Sequence, residues 1–140
     1  MARRQKKSKQ KLFIIVFFIL LLVMAQTILS GRNSIVKLKS SEVSYVEMIC
    51  FTTGNMTSIK NPKDVKSIIK NLNALRGQKE NIEINQNGNI DFINIYDKNF
   101  KKLEIIKFQN NVKINNNWYS LEKGSLNRLN ILMNKYNKNN

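Results

Sequence analysis

The chain has 140 residues, 24 Lys and Arg against nine acids for a net charge of +15, one Cys and no His. That length fits a single modest domain once a hydrophobic segment is set aside. The absence of His removes the commonest general base, metal ligand and proton shuttle, and a lone Cys excludes an intramolecular disulfide.

Residues 1–11 form a basic tail containing Arg3, Arg4, Lys6, Lys7, Lys9 and Lys11 and no acid. Leu12–Leu29, LFIIVFFILLLVMAQTIL, then runs without a charge and is interrupted only by Gln26 and Thr27. A bilayer core of about 30 Å needs roughly 20 helical residues, so 12–29 reads as a transmembrane helix or uncleaved signal anchor. The six cations form a topology signal that holds the N-terminus in the cytoplasm and places the C-terminal domain outside. A cleaved signal is the alternative, because Val23-Met24-Ala25 is an acceptable cleavage site and would release a secreted product after Ala25. Continuation of the apolar run through Ile28 and Leu29 favours retention, since cleaved signals have apolar centres of only ~7–15 residues. With the tail assigned to topology, +9 remains for the rest of the chain. The outward orientation argues against nucleic acid as its partner.

Residues 30–42, with Gly31, several Ser and Arg32, Lys37 and Lys39, read as a hydrated stalk. An extracytoplasmic domain is then expected over 43–137. Val43 to Phe51 is rich in Val, Ile, Tyr and Phe and predicts a strand buried on at least one face. Within it, Cys50 reads as a packing residue, since no His is present to activate it. It also lies too far past the apolar run to be a lipid-attachment site. Thr52-Thr53-Gly54-Asn55 signals a turn, with Met56 to Lys60 returning as the second half of a hairpin.

Asn61-Pro62-Lys63-Asp64 supplies an N-cap, a first-turn Pro and a first-turn acid. Val65, Ile68, Ile69, Leu72 and Leu75 then recur at helical spacing, and Gly77 is expected to end the helix in a left-handed conformation. From Asn81 the period changes to two. Ile82 and Ile84 predict a strand that turns at Asn87-Gly88 into Ile90–Tyr96, because both positions of such a turn need positive φ. Runs at 102–108, 112–115 and 118–121, separated by Asn-rich turns, continue an antiparallel meander. Ser125 is a plausible N-cap for a final helix with Leu126, Leu129, Leu132, Met133 and Tyr136 along one stripe, its last residues fraying. The fold class is therefore α+β: an N-terminal transmembrane helix followed by a small antiparallel sheet, hairpin plus meander, packed by two helices on one face.

No residues in this chain match a nucleotide-binding or metal-loop motif, and the acids are scattered, so no cofactor, no metal and no catalytic residue is expected. A surface candidate remains. Trp118 and Tyr119, with Lys101, Lys102, Lys107 and Lys113 on neighbouring strands, would make an aromatic and cationic surface for a partner or polyanion if they shared one sheet face. Against this stands the ordinary arrangement, in which one of the two aromatics enters the core and the lysines are solvated charges.

The 22 Asn residues, with abundant Lys and Ile, have the composition of an AT-rich genome and point to a low-GC Gram-positive bacterium. From Val43 to Tyr136 the chain resembles a loose group of uncharacterised small, N-terminally anchored extracytoplasmic proteins of such bacteria. The stretches that carry this resemblance are Asn61–Leu72, with its Val-x-x-Ile-Ile-x-x-Leu spacing, and Asn116–Leu121. It implies fold and location and adds no site. The expectation is a single-pass membrane protein with a non-catalytic binding domain, an accessory of a cell-envelope complex with a protein partner. Two alternatives stay open: a secreted or anchored binder of anionic cell-wall polymer, and an immunity-type or regulatory membrane protein.

Overall fold

A computed structural model describes residues 14–24, 34–51, 53–81 and 88–137. The chain divides into two units, Met1–Asn33 and Ser34–Asn140. In the first, residues 14–24 form helix α1, and every side chain from Ile14 to Met24 is a large apolar one, 47% to 62% exposed. Among the described residues no helix is long and apolar enough to cross a membrane. Residues 12, 13 and 25–29 of the expected span, like the basic tail at 1–11, lie outside the described residues.

The second unit is α+β. Its elements are β1 (Val43–Cys50), β2 (Asn55–Ile59), α2 (Pro62–Asn73), β3 (Gly77–Glu80), β4 (Ile90–Asp97), β5 (Lys102–Phe108), β6 (Asn111–Ile114), β7 (Asn117–Leu121) and α3 (Lys123–Asn137). The strands form one seven-stranded sheet in the order β2-β1-β4-β5-β6-β7-β3, with every neighbouring pair antiparallel. Alternation sorts the side chains between two faces. Val46, Met48, Ile93, Ile95, Ile105, Val112 and Ile114 enter the core on one face, against Ile68, Ile69 and Leu72 of α2 and Leu129, Leu132 and Met133 of α3. Each such fully buried aliphatic side chain contributes about 1.5–3 kcal/mol, so this layer is what holds the domain together.

Turn chemistry explains the meander. Asn115 and Asn116 both take positive φ, 49° and 65°, between the paired residues Ile114 and Asn117, which gives the two-residue hairpin that matches strand twist. Gly54, at φ 68°, serves the β1–β2 turn. Helix α2 starts as its sequence directs: the Lys63 N–H donates to Asn61 Oδ1 at 2.9 Å, and Pro62 occupies the first turn.

Several expectations require correction. Gly77 does not end α2. The helix closes at Ala74 in a right-handed conformation, Leu75 is buried just beyond it, and Gly77 opens β3 without positive φ. Glycine is needed there because a Cβ would lie 2.5 Å from the Ser120 carbonyl oxygen on β7. Nor does Gly88 take positive φ. Both edges of β4 are occupied, by β1 and β5. Ile82, Ile84 and Asn87 themselves lie outside the described residues. Ser125 is not the N-cap of α3: the helix begins at Lys123, and the buried Ser125 hydroxyl accepts from the Arg76 N–H at 2.7 Å.

The expected stalk also changes character. Residues 34–42 fold with the domain: Val36 is 3% exposed, and Ile35 and Leu38 pack on the core. The Asn73 side chain clamps this segment, its Nδ2 donating to the Leu38 carbonyl at 2.7 Å and its Oδ1 accepting from the Leu38 N–H at 2.9 Å.

Candidate functional site

The six surface residues singled out in the sequence do not share one face. Adjacent strand residues point to opposite sides, so Trp118 and Tyr119 separate. Tyr119 packs against the core, whereas Trp118 pairs with Lys113 on the face away from the helices. The Lys113 ammonium lies 6.0 Å from the Trp118 ring centroid, at the outer limit of a cation–π contact. Lys102 is on that same face, pairing with Tyr96 in register and holding Glu104 at 2.9 Å. Its bond to the Glu104 carboxylate raises its pKa, so it stays cationic. Next to it, Tyr45 and Tyr96 stack at 4.4 Å, and a hydrogen bond to Glu47 raises the Tyr96 pKa.

Lys107 turns the other way. It sits opposite Asp91 at 3.8 Å, with the two side chains only 14% and 15% exposed, which makes it a structural ion pair and takes it out of any open cationic surface. Lys101 lies in the β4–β5 turn, where Asp97 Oδ1 accepts from the backbone N–H groups of Asn99 and Lys101 at 2.7 and 2.9 Å.

Two of the six, Lys101 and Lys102, also line a recess that the sequence reading did not point to. This recess, of about 300 Å³, lies where residues 37–43 cross the end of β4 and β5. Its apolar lining comes from Leu38, Val43, Ile95 and Leu103, and its charged lining from Lys37, Lys39, Lys101 and Lys102 with the carboxylates of Glu42 and Asp97. Lys39 is held by Glu42 at 3.0 Å and Lys102 by Glu104, while Lys37 and Lys101 make no ion pair among the described residues. The recess depends on the 34–42 segment lying on the domain, where Val36 is buried and Asn73 bonds Leu38; a free stalk would not carry Lys37 and Lys39 to β4 and β5. The overlooked signal was the alternation Val36-Lys37-Leu38-Lys39, whose apolar members face the domain while the lysines stay outside.

A second recess, about 330 Å³, runs between α2 and α3 beside Asn71, Arg128, Ile131 and Lys135. Lys135 is already engaged there, 3.2 Å from the Tyr136 hydroxyl and 3.9 Å from Asp64. The first recess gathers four lysines, whereas this one holds Arg128 and Lys135.

Comparison with protein-family models, with curated proteins and with solved structures returns no match.

Proposed function

We propose that this is a single-pass membrane protein whose α+β domain faces outward and binds a partner in the cell envelope, without catalysing a reaction. The observation that carries the reading is α1. Eleven consecutive large apolar side chains are about half exposed right round a helix, which is a surface for hydrocarbon and a poor one for water. The six cations that precede it support a cytoplasmic N-terminus. Crosslinking in intact cells, followed by recovery of the protein from membranes, tests both parts. A crosslinked envelope species in the membrane fraction is expected. Recovery of the domain only as a free monomer, or a mature chain beginning at Gln26, would reject it.

The lysine-bordered recess favours a second reading, an anchored or secreted binder of anionic wall polymer. Exposed cation–anion contacts are screened over ~8 Å at physiological ionic strength, so such binding should weaken steeply as salt rises. Retention on wall material that is indifferent to salt would exclude this mode.

A further inference from the structure

The recess beside Lys37 and Lys101 has a chemistry more particular than a basic patch. A purely hydrophilic polyanion needs only an exposed array of cations and gains nothing from apolar lining. Here Leu38, Val43, Ile95 and Leu103 line the recess, with Ile95 and Val43 belonging to the buried core, together with four lysines and two carboxylates, Glu42 bonded to Lys39 and Asp97 accepting from the backbone N–H groups of Asn99 and Lys101. A volume of about 300 Å³ is at the lower end of the range for small-molecule sites. Ligands bound in such sites typically bury an apolar body and use a few polar contacts for orientation. Of the four border lysines, two already have carboxylate partners, Glu42 and Glu104. The other two, Lys37 and Lys101, come from separate segments that flank the recess.

We propose that this recess binds an anionic amphiphile, its carboxylate or phosphate held by Lys37 and Lys101 and its first apolar carbons seated against Leu38, Ile95 and Leu103. The proposal rests on the reading that this recess is a binding surface, and it narrows the ligand from any polyanion to a head-and-tail anion. Two sources share that chemistry: an anionic phospholipid and a free aliphatic acid. Lys37 follows the apolar run that ends at Leu29 by only eight residues, which puts a membrane lipid within the chemistry to be tested.

The full-length protein, reconstituted in phosphatidylcholine nanodiscs, is titrated with water-soluble dihexanoyl phosphatidylglycerol, with octanoate and with inorganic polyphosphate, each against empty nanodiscs. At least one amphiphile is expected to bind more tightly than polyphosphate. The double variant Lys37→Gln/Lys101→Gln should weaken that binding about tenfold, two charge-assisted contacts being lost. The control Lys63→Gln/Lys66→Gln, which removes the same charge from exposed positions on α2, should change it less than about twofold if the contact is local rather than a net-charge effect. Circular dichroism of each variant checks that the fold is retained. Binding of the phospholipid alone assigns the membrane as source, and equal binding of octanoate assigns a free acid. Polyphosphate binding as tightly as either amphiphile overturns the proposal while leaving the anionic-polymer reading in place. Equal losses in the two double variants also overturn it, because charge alone would then be at work. No binding of any of the three removes both readings together.

Discussion

Asn73→Ala removes the clamp on residues 34–42 and should loosen the wall of the recess without touching the sheet. The wild-type carboxamide makes two bonds to one residue, donating to the Leu38 carbonyl at 2.7 Å and accepting from the Leu38 N–H at 2.9 Å. Both are part-buried, and each such bond contributes about 0.5–1.5 kcal/mol net, so losing the pair should cost about 1–3 kcal/mol. In a domain of this size, every kcal/mol moves the melting midpoint by roughly 4–8 °C. The Ser34 hydroxyl also reaches the Asn73 carbonyl, at 2.5 Å, and Ile35 donates to the Leu75 carbonyl at 3.2 Å. These backbone-directed contacts survive the substitution, so the segment should loosen without the domain unfolding. Thermal denaturation gives the cost, and amide hydrogen exchange gives its location, with faster exchange expected at 34–42 before any change in β4 or β5. Asn71→Ala is the control, since its side chain only returns to the Ser67 carbonyl of its own helix on an exposed face. A loss below about 0.5 kcal/mol for Asn73→Ala, or equal losses for the two variants, would refute the clamp, because a part-buried bonded pair cannot be that cheap to delete.

Two further outcomes follow from single residues. Gly77→Ala should destabilise by about 1–3 kcal/mol, because the added methyl meets the Ser120 carbonyl oxygen at 2.5 Å in a strand pair that must then separate. Gly124→Ala, with open space around its Cβ position inside α3, should be neutral or stabilising by up to about 1 kcal/mol; denaturation of both variants separates steric contact from backbone entropy. Tyr136 is held above its ordinary value of 10.0, chiefly by burial, and its hydroxyl donates to Asp64 at 2.9 Å. The unfolded phenol therefore ionises first, so its stabilising contribution is complete below pH 10 and is lost as pH rises through the folded-state value. Tyr136→Phe should flatten that alkaline fall in the melting midpoint, and an unchanged slope above pH 10 would show that another group is responsible.

Legibility in the sequence divided along local and long-range lines. Helix α2 could be read because its cap, its first-turn Pro and its apolar stripe act within one stretch of chain. An Asn-rich turn between the last two strands was readable for the same reason, but its position was off by one: Asn115, expected to end the strand, is the first turn residue, and Asn117 already belongs to β7. Gly77 was misread because a glycine after a helix has the same local signature whether it ends the helix or makes room for a distant carbonyl. Only the pairing of β3 with β7 distinguishes the two cases, and that pairing joins residues some forty positions apart. Burial of Val36 and Leu38 likewise depends on Asn73, 35 residues beyond Leu38. Strand parity alone requires Trp118 and Tyr119 to part, although the sequence reading kept a shared face open beside the arrangement with one aromatic in the core. Parity could not reveal that Lys107 lies opposite Asp91, since this depends on the register of β4 against β5. The recess combined all of these difficulties, being assembled from a segment read as stalk and a turn read as surface.

The claim that α1 anchors an outward-facing domain is tested most directly by thiol labelling of intact cells with a membrane-impermeant reagent. Cys50 is the only native thiol, so a Cys50→Ala/Gly124→Cys variant reports a single position where open space surrounds the new side chain. Labelling at position 124 in unbroken cells, with the labelled protein recovered in the membrane fraction, is the predicted result. Labelling only after the cells are broken, or a labelled protein found in the medium and not in membranes, would contradict it.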